Sequence, residues 1–221
     1  MSDTPEITII RSHRKTIALH VLPDGTVEIK APFLMPKFFI NRFIEKNKEW
    51  IDKRTKHIQQ KLALQKTYNE GEKFLYLGEE YILKIGNYTS IGAKNGEFLF
   101  PQALLFRIKK EIESWYITQA KEIITTETKR YALEMKTSFT SLTFSDTKSQ
   151  WGRCTHDNRL QFSWRLVMTP LLVLRYVVVH ELAHTFEKNH SYLFWSKVRS
   201  VNPSYKQQIK WLKEHGNTLV S

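Results

Sequence analysis

The sequence lacks several features that would place it in a specialised class of protein. It has one cysteine, Cys154, in 221 residues, so an internal disulfide is excluded and a reducing compartment is expected. Its most apolar stretch, residues 171–179, is interrupted by Arg175 and falls far short of the roughly 20 residues of a membrane span. The polar start of the chain, residues 1–8, is unlike a signal peptide. These absences predict a soluble, cytoplasmic protein with no membrane association.

Acidic residues are scarce relative to basic ones. The chain has 34 Lys and Arg against 22 Asp and Glu, which gives a net charge of +12. A positive field favours anionic partners, and nucleic acid is the most common of them. The basic residues are spread along the chain without a block of five or more, so ordinary surface solvation also explains them. DNA is therefore an open alternative as a partner, beside a protein or peptide substrate.

The pattern of apolar residues predicts an α+β protein in two parts. In residues 1–100 we expect a hairpin, an amphipathic helix and short strands, placed at 7–31, 37–60, 74–77, 81–85 and 97–100. Residues 101–221 are expected to contain a long helix, further strands, a buried helix and two shorter helices, placed at 102–136, 141–144, 150–154, 159–164, 169–184, 191–200 and 204–215. Thr169 and Pro170 are typical of a helix start. The two parts are also compatible with one continuous domain.

The segment His180-Glu181-Leu182-Ala183-His184 carries the strongest chemical signal. Two histidines four residues apart lie on one face of a helix, so their imidazoles can converge on one metal ion. Glu181 lies about 100° around the helix, where its carboxylate can reach a water molecule on the metal rather than the metal itself. There it can accept the proton of that water as the water attacks a carbonyl. Burial of these polar side chains on an apolar helix favours a metal site over an exposed surface cluster.

A catalytic zinc ion needs a third protein ligand and an open position. His190 follows His184 by six residues, which is the interval found in metzincins. The glycine that turns the chain in that motif is replaced here by Glu187, and no methionine follows His190, so the turn is expected to differ, with Asn189 as a candidate for a left-handed conformation. His190 is favoured as the third ligand, and the alternative ligands are Glu187, Glu214 and His215.

The wider sequence around this motif resembles a known family. The matching segments are 149–154, 162–166, Pro170, 176–184 and 189–195, and the chain is identified as a member of the YgjP-like metallopeptidases, minimal zincins related to the SprT and WLM peptidases. The N-terminal hairpin, Trp50-Ile51, Pro203, Tyr205 and Trp211-Leu212 also fit, so the resemblance covers nearly the whole chain. Arg153 and Ser163 depart from the residues common in the family, and neither is a predicted metal ligand.

The resemblance implies a minimal zincin fold, in which a small twisted sheet packs on the active-site helix. It implies one zinc ion per chain, held by His180, His184 and His190, with Glu181 as the catalytic acid and base. In zincins an edge strand beside the metal binds extended substrate, and Trp151, Gly152, Arg153 and Cys154 are the candidates for that strand. Tyr205 is a candidate for the oxyanion or for a residue supporting the ligands. Phe194 and Trp195 are expected in the core, and His13, His20, His57 and His156 on the surface.

Three functions are weighed against one another. The first is a zinc-dependent metallopeptidase, a hydrolase that cleaves peptide bonds of extended or unfolded protein. The second is a DNA-associated protease that acts on proteins bound to nucleic acid, which the positive charge favours. The third, from another class, is a zinc-stabilised binding module for nucleic acid or protein with little turnover. Glu181 argues against the third, because structural zinc sites are normally closed by four protein ligands and have no use for such a carboxylate.

Overall fold

A computed structural model describes residues 7–63 and 66–219, and within these it describes every side chain except those of residues 60–63 and 218. The fold is a mixed α/β arrangement of small sheets and helices. Two compact units divide the chain, Met1–Gln65 and Lys66–Ser221. Among the described residues no helix is long and apolar enough to cross a membrane.

The first unit combines a three-stranded sheet with two helices. Its elements are β1 (Ile7–Ser12), β2 (Ala18–Val21), β3 (Val27–Pro32), α1 (Lys37–Lys46) and α2 (Lys48–Ala63). The β2–β3 hairpin confirms the sequence prediction, whereas the single helix expected over residues 37–60 is two helices that divide at Asn47. Its sheet has the order β1-β3-β2, because β1 pairs in parallel with β3. Its small core consists of alternate residues of β3 and one apolar residue from each helix: Val27, Ile29, Ala31, Ile40 and Ile51.

The second unit begins with a four-stranded sheet of order β4-β5-β7-β6. Its strands are β4 (Lys73–Tyr76), β5 (Glu79–Gly86), β6 (Gly92–Lys94) and β7 (Glu97–Pro101), of which β6 was not expected from the sequence. A 3-10 turn over Gln102–Arg107 then leads into the long helix α3 (Ile108–Glu134). The predicted helix from residue 102 is therefore shorter than expected at its start.

A second sheet and three helices complete this unit. The strands β8 (Ser141–Ser145), β9 (Gly152–Cys154) and β10 (Arg159–Ser163) have the order β8-β10-β9, with β9 at one edge and antiparallel to β10. The helices are α4 (Leu171–Ala183), α5 (Tyr192–Val201) and α6 (Tyr205–Leu219). Both groups of elements agree with the sequence predictions to within a few residues, except that β9 starts later and α6 ends later.

The start of α4 differs in detail from the expected capping. Pro170 precedes the helix, and its carbonyl accepts the first helical hydrogen bonds, from the N–H groups of Val173 and Leu174 at 2.8 and 3.0 Å. The hydroxyl of Thr169 instead donates to the Leu166 carbonyl at 2.8 Å. The prediction that Thr169 caps the helix is wrong, because its hydroxyl closes the preceding turn.

The four-stranded sheet shares one core with the helices that follow it. Phe74, Leu83, Phe98 and Phe100 belong to the same buried cluster as the apolar residues of α3 and α4. At the β4–β5 turn, Gly78 has a φ of +83°, and a Cβ there would lie 2.7 Å from Pro170 Cα. The sequence predicts a boundary near residue 100, and the compact units divide between residues 65 and 66.

Candidate metal centre

The helix α4 is apolar on nearly all sides and is buried through most of its length. Its buried residues are Val173, Leu174, Tyr176, Val177, Val178, Val179, Glu181, Leu182 and Ala183. A helix buried all round has no solvent for its polar side chains, so each of them needs a partner within the protein or a ligand. This requirement falls on His180, Glu181 and His184, which stand in the last turn of α4 and at its end.

The chain turns back after His184 and brings His190 beside the two helical histidines. The N–H groups of Phe186 and Glu187 both donate to the Ala183 carbonyl at 3.1 Å, which tightens the end of the helix. No residue of this turn has a positive φ, so the expected left-handed conformation of Asn189 is wrong. Its side-chain oxygen accepts a hydrogen bond from the N–H of Ser191 at 2.9 Å, which shapes the turn without backbone strain.

Three imidazoles converge at this point. Ligand nitrogens of His180, His184 and His190 all lie within 4.8 Å of one another. The Nε2 atoms of His180 and His190 are 3.1 Å apart, close to the separation of about 3.3 Å expected for two nitrogens on a tetrahedral zinc ion with bonds of about 2.05 Å. In the part of the chain that the structure describes, no other group of three potential metal ligands occurs. The donor set therefore fits a zinc ion.

Neighbouring groups fix the orientation of each imidazole. The Nδ1 of His184 lies 3.0 Å from the backbone carbonyl of Glu187. A carbonyl only accepts hydrogen bonds, so Nδ1 carries the proton and the lone pair of Nε2 remains for a metal. The Nδ1 of His180 lies 3.3 Å from the hydroxyl of Tyr176, which can act in the same way. The ring of His190 stacks on Trp195, with centroids 5.7 Å apart.

The electrostatics of the site favour neutral imidazoles. Burial, together with smaller effects of the neighbouring His184 and His190, lowers the pKa of His180 to about 3. Burial also lowers the pKa of His184 from its ordinary value, while its bond to the Glu187 carbonyl acts in the opposite direction. A neutral imidazole is the form that binds a metal ion, so His180 and His184 need not lose a proton near neutral pH.

The side chain of Glu181 packs against the edge strand β9. Its residue is only 6% exposed, and burial raises the pKa of its carboxyl group to about 8, against the lowering effect of a hydrogen bond from the Cys154 backbone N–H. Gly152 lies directly against its side chain. Glu181 is therefore a buried acid on the same helical turn as two of the imidazoles, and its raised pKa is typical of a group that exchanges protons.

The four residues of the predicted substrate strand have different surroundings. Gly152 and Cys154 reach Glu181, as described above, and the Cys154 thiol lies 3.8 Å from the Nζ of Lys188. Trp151 packs on α6, where a Cβ on Gly216 would lie 3.3 Å from its ring. Arg153 is exposed. Their role in substrate binding stays a prediction.

The remaining candidates lie apart from the three imidazoles or support them. Tyr205 is buried and stacks on Trp195 at 5.1 Å between centroids, so it contacts the residue that supports His190. Glu187 contributes its backbone carbonyl to His184, while Glu214 pairs with Lys210 at 3.9 Å and His215 contacts the ring of Trp211. Phe194 is buried, Trp195 is half-buried, and the expected surface histidines are exposed: His13, His20, His57 and His156.

One residue of the site, Tyr176, and one contact, that of Gly152 with Glu181, were not predicted from the sequence. Tyr176 precedes His180 by four residues and therefore lies on the same helical face, a spacing that could have pointed to it. The packing of Gly152 against Glu181 left no local signal, because the two residues come from different elements.

A comparison with known protein families agrees with this geometry. The family described as the YgjP-like metallopeptidase domain matches residues 15–215, which is most of the chain. No curated protein and no solved structure gave a match. Metallopeptidases are hydrolases that use a metal ion, typically zinc, and the three imidazoles are suited to hold one. The chain therefore belongs to the YgjP-like metallopeptidase family.

Proposed function

We propose that this protein is a zinc-dependent peptidase of the zincin type that cleaves extended or unfolded protein chains. About one zinc ion per chain would be held by His180, His184 and His190, with an open fourth position. The observation that carries the proposal is the convergence of these three imidazoles at the end of the helix that carries the buried carboxyl group of Glu181. A structural zinc site has no use for such an acid, and this weighs against a binding module without turnover.

Zinc, when bound, supplies Lewis acidity that polarises the scissile carbonyl and lowers the pKa of a water molecule. A carboxylate of Glu181 would take one proton from the water as the water oxygen bonds to the carbonyl carbon. The same carboxyl oxygen would then return this proton to the amide nitrogen as the C–N bond breaks. Burial favours the protonated form of Glu181, and a nearby cation favours its carboxylate, so the residue is suited to serve as base and then as acid.

The substrate would lie along the edge strand β9. This strand pairs with another strand on one side only, β10, so an added strand can pair with its other side through the backbone groups that Glu181 does not bond. Binding of this kind reads the main chain of the substrate more than its side chains. An extended or unfolded segment meets that requirement, whereas a folded helix does not. The position of Gly152 against Glu181 supports this direction of approach, because it brings the open edge next to the proposed acid and base.

The central test compares the wild type with Glu181→Gln. Bound metal and cleavage of a casein-type substrate are measured for both proteins, each purified without a chelator. We expect about one zinc ion per chain in both, and a loss of cleavage of at least about a hundredfold in the variant, the usual minimum contribution of a general acid and base. A metal-free wild type would contradict the metal site. Unchanged cleavage by Glu181→Gln would contradict the mechanism and leave the metal site intact.

A second candidate function is proteolysis of proteins bound to nucleic acid. It is favoured by the charge of residues 1–65, which include 12 Lys and Arg against 7 Asp and Glu. Exposed aromatic rings accompany these charges in the first unit, among them Phe33, Phe38, Phe39 and Trp50. Cations together with exposed rings are typical of surfaces that bind single-stranded nucleic acid through phosphates and stacked bases.

Single-stranded DNA separates the two candidates. Cleavage is measured with and without it at low and moderate salt. Stimulation that weakens as salt rises would support the second candidate, since phosphate contacts are salt-dependent. Equal cleavage in all conditions would remove it. For either candidate we propose a cytoplasmic location, because a single cysteine fits a reducing compartment.

A further inference from the structure

Gly152 stands where no other amino acid would fit beside Glu181. A Cβ atom on Gly152 would lie 2.7 Å from the Cγ of Glu181, 2.8 Å from its Oε1 and 3.0 Å from its Cδ. Non-bonded carbon atoms pack at about 3.5–4.0 Å, so these distances are severe clashes. The φ of Gly152 is not positive, so its backbone conformation would accept alanine. The requirement for glycine here comes from the side chain of Glu181.

The pairing of β9 explains why its backbone reaches Glu181. The N–H of Ser163 donates to the Trp151 carbonyl at 2.9 Å, just before β9 begins. Just after β9 ends, the N–H of Thr155 donates to the Arg159 carbonyl, also at 2.9 Å. Backbone groups alternate in direction along an antiparallel strand. The groups of Gly152 and Cys154 therefore point away from β10, and the N–H of Cys154 is left to bond Glu181.

Glu181 has few other ways of being held in place. Its residue is 6% exposed, so water contributes little to its orientation. One turn earlier on α4, the facing positions Val177 and Val178 are apolar and offer no hydrogen bond. A buried carboxyl group without a directional partner would sample several rotamers. The backbone of β9 supplies both a donor, at Cys154, and a wall without a side chain, at Gly152.

We propose that Gly152 and the backbone N–H of Cys154 form a seat that fixes the direction of the Glu181 carboxyl group for proton transfer, an inference that rests on the proposed peptidase function. Gly152 is then a positioning residue, which acts on the reaction through Glu181. A side chain at position 152 would displace the Glu181 carboxyl group from its contacts with Gly152 and the Cys154 N–H. The clash falls on the end of a side chain rather than on backbone, so Glu181 would move and the strand would keep its place.

The test replaces Gly152 by alanine. We expect kcat to fall about a hundredfold, the effect of moving a reacting group by about 1 Å. KM and zinc affinity are expected to stay at wild-type values, because neither the ligands nor the open strand edge is altered. Gly92→Ala is the matched control, since it also adds one methyl group to a strand glycine, with no atom within 4 Å of the new Cβ. It should leave all three quantities unchanged.

A wild-type kcat in Gly152→Ala would overturn the inference. If kcat and zinc affinity fall together, the double variant Gly152→Ala/Glu181→Ala decides. Zinc affinity restored by removing the Glu181 side chain supports the seat, and affinity that stays low overturns it. A wild type that cleaves nothing contradicts the proposed function alone. The melting temperatures of the metal-free proteins then test the seat: Gly152→Ala should lower the melting temperature in the wild-type background and not in Glu181→Ala.

Discussion

The polar side chains in the two halves of α4 have different kinds of partner. In the first half, Arg175 donates from Nε and Nη2 to one carboxylate oxygen of Glu127 on α3, at 3.1 and 2.9 Å. In the last turn of the helix, His180 turns its Nε2 atom towards that of His190, and at the helix end a ring nitrogen of His184 lies within 4.8 Å of both. The polar side chain of the first half has its partner within the protein, whereas the second half, together with His190, leaves three imidazole nitrogens for a ligand. One buried helix thus serves as a structural support and as a reactive site.

Among the changes that test this difference between the two halves, removal of a metal ligand should have the largest effect, on both zinc content and cleavage. We expect His190→Ala to lose its zinc on dialysis and to lose cleavage, since two imidazoles make a weak site. Metal content by atomic absorption and casein cleavage measure both. Glu187→Ala is the matched control, because Glu187 supports His184 through its backbone carbonyl, which alanine retains. If instead Glu187→Ala lost zinc and His190→Ala kept it, the carboxylate would be the third ligand.

Loss of the Tyr176 hydroxyl should have an intermediate effect. This hydroxyl lies 3.3 Å from the Nδ1 of His180, and partners of metal-binding histidines contribute about 10–100-fold to metal affinity. We expect Tyr176→Phe to weaken zinc binding by that amount, measured by competition with a chelating dye, with the melting temperature of the metal-free protein little changed. The exposed Tyr192 provides the control, Tyr192→Phe. Equal zinc affinity in both variants would mean that the hydroxyl does not orient His180.

Breaking the ion pair in the first half should affect stability and leave the metal site intact. Glu127→Ala leaves the guanidinium of Arg175 partly buried without its acceptor, and we expect a loss of about 2 kcal/mol in the free energy of unfolding. Urea unfolding of the metal-free protein measures this loss, and zinc titration checks that about one ion still binds per chain. If zinc binding weakened together with the free energy of unfolding, the two halves of α4 would not have separate roles.

An exposed ion pair gives the smallest expected effect and calibrates the others. Lys210 and Glu214 on α6 are 3.9 Å apart, with side chains 76% and 52% exposed. Such pairs contribute about 0–1 kcal/mol. Lys210→Ala should therefore change the free energy of unfolding by less than about 0.5 kcal/mol in the same urea experiment. A larger loss would show that the position of an ion pair on the surface does not predict its contribution here.

Local features were predictable where one stretch of sequence carries the whole signal. The β2–β3 hairpin is such a case, as are the apolar helix α4 and the pair His180 and His184, since turn chemistry and helical periodicity act between near neighbours. The capping of α4 was wrong at Thr169 because its hydroxyl donates to the Leu166 carbonyl instead of accepting from a backbone N–H of the helix. Strand β6 escaped notice because three residues are too few for a periodic pattern.

The sequence by itself determined the chemistry available to this protein: two histidines on one helical turn, an acid beside them and a third histidine at a suitable interval. Only the tertiary structure decided which groups surround that chemistry. It packed the edge strand β9 against Glu181, where the absence of a side chain at Gly152 leaves space for the side chain of Glu181. It also placed the backbone carbonyl of Glu187, rather than its carboxylate, within hydrogen-bond distance of His184. The physical reason is that periodicity is set by neighbours along the chain, whereas burial, close approach and hydrogen-bond partners are set by elements distant in sequence.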